Sequence, residues 1–108
     1  MKALQLRTDG SVRCIDIENT LEALQAAVGG YIETVSLDEH TAVVADKERR
    51  LKCKPVNLNA SLLAVCRICG NVLVCGVDFD RFTDLSDEQQ TEVLNTIAER
   101  RKINDMDK

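Results

Sequence analysis

The chain has 108 residues, of which 44% are hydrophobic, yet its aromatics are only Tyr31, Phe79 and Phe82. Its core must therefore come from Leu, Ile, Val and Ala in one modest domain. A formal charge of -4 and a pI near 4.9 exclude a generic nucleic-acid binder, which needs a basic face to neutralise phosphates. No apolar run approaches the roughly eighteen residues of a membrane span, and Met1–Gln5 lacks a secretory apolar region, so a soluble, cytoplasmic protein is expected.

Residues 2–7 and 12–17 flank Thr8-Asp9-Gly10-Ser11 and read as an opening β-hairpin, glycine supplying the positive φ of the turn. Leu4 and Leu6 share one face, and Ile15 and Ile17 form another expected to meet them. Cys14 falls on the opposite face and reads as plain structure. Asn19, with Glu22 three residues on, is placed to cap a helix. Leu21, Leu24 and Val28 form its apolar stripe, and Gly29-Gly30 ends it.

Strands are expected over Tyr31–Ser36, Thr41–Ala45 and Arg50–Lys54, with turns at Leu37–His40 and Lys47–Arg49 and a stop at Pro55. A short helix from Leu58 to Val65 leads to Cys66-Arg67-Ile68-Cys69-Gly70, and the apolar run Val72–Val77 reads as a central strand. Asp78–Phe82 is expected to leave the sheet. Ser86 with Gln89 forms a capping box for a last helix reaching about Lys102, with Val93, Leu94 and Ile97 as its stripe. The fold class is thus α+β: a mainly antiparallel sheet of five to six strands, two longer helices and one short one. Residues 1–103 form a single domain, and 104–108 a flexible C-terminal tail.

The stretch Leu21-Glu22-Ala23-Leu24-Gln25-Ala26-Ala27-Val28-Gly29-Gly30-Tyr31-Ile32-Glu33 resembles a small domain of unknown function widespread in phages and mobile elements of Gram-positive bacteria. The likeness extends through Val72–Val77, Asp78 and Phe79 to the helix start at Leu85–Gln89. That family pattern carries glycine or aliphatic residues where this chain has Cys53, Cys69 and Cys75, so a metal site here would be this protein's own. The resemblance implies a phage-borne inhibitor of host defence, anti-CRISPR proteins included, acting by occupying a surface of a larger effector.

Five cysteines in a reducing compartment read as metal ligands or buried thiols before disulfides. Cys66 and Cys69 have the C-x-x-C-G knuckle spacing of a structural zinc site, and zinc takes four thiolate or imidazole ligands. If Lys47–Arg49 closes a hairpin, Cys53 and His40 approach one another, which nominates Cys53, Cys66, Cys69 and His40. Cys75 is the reserve fourth ligand, disfavoured because an extended strand carries it about 20 Å beyond Cys69. Such a closed site would be structural.

An enzyme is not expected. His40 is the single histidine, and no nucleophile elbow or oxyanion-hole sequence accompanies it. Gly29-Gly30 follows a helix, whereas a phosphate loop leads into one. Asp78 and Asp80 offer carboxylates to a hard cation but read in preference as solvated, and Lys47, Arg49, Arg50, Lys52 and Lys54 form a basic hairpin face read as solvated in preference to touching nucleic acid or an acidic protein surface. The expected function is inhibition of a host defence protein, such as a type II CRISPR effector nuclease, by direct binding with a structural zinc and no nucleic acid or membrane contact. The alternatives are a protein that sequesters a small ligand or nucleotide, and a structural module without defence activity.

Overall fold

The computed structural model describes residues 1–106. Six strands form one antiparallel sheet: β1 (Lys2–Leu6), β2 (Val12–Asp16), β3 (Ile32–Asp38), β4 (Thr41–Asp46), β5 (Val72–Asp78) and β6 (Arg81–Thr83). The order is β2-β1-β5-β4-β3, with β6 pairing the far end of β5. Three helices complete the α+β fold: α1 (Leu21–Val28), α2 (Leu58–Ala64) and α3 (Asp87–Met106).

Both faces of the sheet are covered, which explains why β4 is buried at all six positions and why β5 reads as a continuous apolar run. Side chains alternate across a strand. Val43, Ala45, Val72 and Val74 meet Leu63 of α2 and Val93 and Ile97 of α3, while Val44, Leu73 and Cys75 meet Leu24 and Val28 of α1. β5 is the middle strand of the five-strand path, as its composition predicts. No helix among the described residues is long and apolar enough to cross a membrane.

Several local expectations are corrected. Leu4 and Leu6 face α2 and α3, whereas Ile15 and Ile17 pack on the α1 side, because the register pairs Ala3 with Ile15 and Leu4 with Cys14. Thr20, rather than Asn19, caps α1, its hydroxyl accepting from the Ala23 N–H at 3.2 Å. Asn19 instead donates to the Phe82 carbonyl at 2.9 Å. Leu21 is exposed. At eight residues α1 is scarcely longer than α2, so α3 is the single long helix.

Arg50–Lys54 forms a turn, not a strand, and the sixth strand is β6. The reciprocal Ser86–Gln89 capping box is present, with bonds of 2.9 and 3.1 Å. α3 continues past Lys102 to Met106. Of the expected tail, 107–108 lie outside the described residues.

Candidate functional site

The turn after β4 replaces a predicted strand because its lysines have other work. Asp46, 1% exposed at the end of β4, receives Lys52 at 2.8 Å and Lys54 at 2.7 Å. The same ammonium groups donate to the last carbonyls of α1, Lys52 to Gly29 at 3.0 Å and Lys54 to Val28 at 2.7 Å. Helix C-termini carry negative partial charge and unsatisfied carbonyls, so two cations from a distant turn do what α1 lacks in its own last turn. Burial opposes ionisation of Asp46, but the hydrogen bonds from Lys52, Lys54 and the Glu48 N–H outweigh it and hold the carboxyl at about 2. A Cβ at Gly30 would lie 2.5 Å from the Lys52 ammonium and 2.7 Å from an Asp46 carboxylate oxygen, so any larger residue there would displace this ion pair.

The C-x-x-C-G loop is held by main-chain and amide contacts. Ile68, between the cysteines, is fully buried in the core. Its carbonyl accepts from the Asn57 N–H at 2.8 Å, and its N–H donates to the Ser61 hydroxyl at 2.9 Å. Cys69 pairs with Val56 as an isolated bridge, and the Gly70 N–H donates to the Pro55 carbonyl at 2.8 Å. Gly70 has φ 83°, the left-handed conformation that its place in the motif predicts.

The four nominated ligands are brought together only in part: Cys53 and Cys69 share one groove, and His40 lies in a separate cleft. His40 and Cys53 sit beyond opposite ends of β4, whose six residues span about 17 Å. The expected hairpin that was to join them does not exist because residues 50–54 turn back toward α1. His40 lies in an open cleft of about 630 Å³ with Asp38, Glu39, Asp78 and Glu92. Cys53 and Cys69 line a groove of about 470 Å³ with Arg49, Arg50, Lys54 and Arg67. Cys66 is exposed, and the reserve ligand Cys75 is buried against α1 with its thiol pushed up to about 12 by burial. Among the described residues no three His, Cys, Asp or Glu side chains form a metal-binding group.

β4 thus runs between an acidic cleft and a basic groove. At the acidic end, β5 and β6 join through a tight turn, and Phe79 at its tip is 97% exposed with φ 57°. Asp78 and Asp80 flank it in sequence. The sequence offered one signal for this tip: a lone aromatic between two carboxylates, in a chain with few aromatics to spare.

A family model described as a domain of unknown function, DUF3846, matches residues 1–98. The chain belongs to the DUF3846 family. No curated protein and no solved structure matches it. The match covers every strand and most of α3 of this DUF3846 domain, so the acidic tip and the basic groove both lie within the family's span.

Proposed function

We propose that this DUF3846 protein is a non-enzymatic inhibitor that binds a nucleic-acid-handling protein of host defence, in the manner of an anti-CRISPR protein. The observation that carries the reading is Phe79, fully presented to solvent at the β5–β6 tip. Aromatic anchors supply much of the energy of protein interfaces, and holding a bulky residue in left-handed geometry costs about 1–2 kcal/mol. The left-handed residue closes the two-residue loop between Asp78 and Arg81, but glycine or asparagine closes such a turn at less cost and presents no anchor.

Charge selects the partner. Asp78 and Asp80 flank the anchor, and Asp38, Glu39 and Glu92 line the adjoining cleft. Carboxylates around an apolar anchor suit a basic channel built to hold nucleic acid, and long-range attraction speeds docking there. A type II CRISPR effector nuclease has such a channel, and phage origin and anti-defence role form part of the proposal.

A pull-down of a purified type II effector nuclease at low salt, with and without its target DNA, tests this. Binding that DNA displaces, and that Phe79→Ala weakens by about tenfold or more, supports it. No association at low salt ends it.

A further inference from the structure

We infer that the groove beside the C-x-x-C-G loop is a binding site for a small phosphate monoester of nucleotide size. It lies at the other end of β4 from Phe79 and stands independently of the protein-docking reading.

Arg49 borders the groove with a side chain that is 9% exposed. Its Nη1 is committed to the Glu33 carboxylate and to the Asp46 carbonyl at 3.1 Å. Its Nε is buried with no hydrogen-bond partner. Closed off from solvent, that nitrogen is out of a ligand's reach, so Arg49 serves the groove as a fixed wall and Arg50 and Arg67 are the groups that meet a ligand.

The charge balance favours a dianion. Lys54 shares the single Asp46 carboxylate with Lys52, so its stem serves the wall and that cluster keeps one net positive charge beside the groove. Arg50 and Arg67 are exposed, line the same groove, and have no ion-pair partner among the described residues. Two uncompensated guanidinium groups match a phosphate monoester, which carries close to two negative charges at neutral pH. A carboxylate supplies one. Guanidinium groups also grip phosphate oxygens in bidentate fashion.

Size and lining select more than bare phosphate. The groove measures about 470 Å³, within the range of small-ligand sites, and Cys53 and Cys69 add softer, less polar wall on which an organic moiety can rest.

Calorimetric titration of the whole protein with inorganic phosphate, adenosine 5′-monophosphate and adenosine tests the assignment. Saturable binding is expected for both phosphate probes, tighter for the nucleotide, and absent for adenosine. Arg50→Ala and Arg67→Ala, both at exposed positions that leave the core intact, should each weaken nucleotide binding about tenfold or more. Lys47→Ala, an exposed cation outside the groove, should change it less than about twofold. Absence of saturable binding by either phosphate probe overturns the inference. So does an equal loss in Lys47→Ala, which would mark unspecific attraction to a basic turn.

Discussion

The Lys54 ammonium lies 2.7 Å from the buried Asp46 carboxylate and 2.7 Å from the Val28 carbonyl. One side chain thereby joins the end of β4 to the end of α1. The Asp46 carboxyl is held at about 2 against an ordinary 3.8, so the unfolded chain takes up its proton more readily than the folded one. The stabilisation is complete above pH about 4 and is lost as the pH falls through about 2, amounting to about 2 kcal/mol. Denaturant unfolding at a series of pH values should show this loss, and Asp46→Asn should flatten the dependence in that window.

Asn57 is fully buried and makes three side-chain hydrogen bonds, donating to the carbonyls of Leu6 at 2.8 Å and Gly70 at 2.9 Å and accepting from the Ala60 N–H at 3.1 Å. It caps α2, ties the cysteine loop to β1 and leaves none of its partners exposed to water. Asn57→Ala should destabilise the fold by about 3 kcal/mol, measured as a drop in the denaturant midpoint. A loss below about 1 kcal/mol would show that the loop is held by something else.

Val65 ends α2 at φ 55° with 76% of its surface exposed. A β-branched residue is strained in that conformation, and glycine is the usual occupant. Val65→Gly should therefore raise stability by about 0.5–1 kcal/mol, the relief of strain exceeding glycine's greater unfolded-state entropy. An unchanged or lower melting temperature would argue against strain there.

Cys66 is exposed, and the loop around it is held by Asn57, Ser61 and the buried Ile68. Cys66→Ser should alter stability by no more than about 0.5 kcal/mol, with elemental analysis finding less than a full equivalent of zinc. A full equivalent, lost together with the folded signal in the variant, would instead restore the zinc brace that the knuckle spacing suggested.

The sequence by itself determined the elements whose signals are local. Gly29 ends α1 in left-handed geometry, Ser86 and Gln89 cap α3 reciprocally, and Gly10 turns the first hairpin. Hydrophobic continuity likewise placed Val72–Val77 at the centre of the sheet. These features depend on residues within a few positions of one another, where backbone sterics and side-chain period speak directly.

Tertiary structure decided what the polar residues were for. The basic run 47–54 looks like a solvated strand face when read alone, and only the approach of α1 to Asp46 turns Lys52 and Lys54 into a helix cap and an ion pair. A hairpin over that run would bring His40 and Cys53 together; with the turn in its place, they lie beyond opposite ends of β4, one in an acidic cleft and one in a basic groove. Long-range charge pairing leaves no periodic trace in a chain, because its partners are set by which ends of which elements the packing brings within reach.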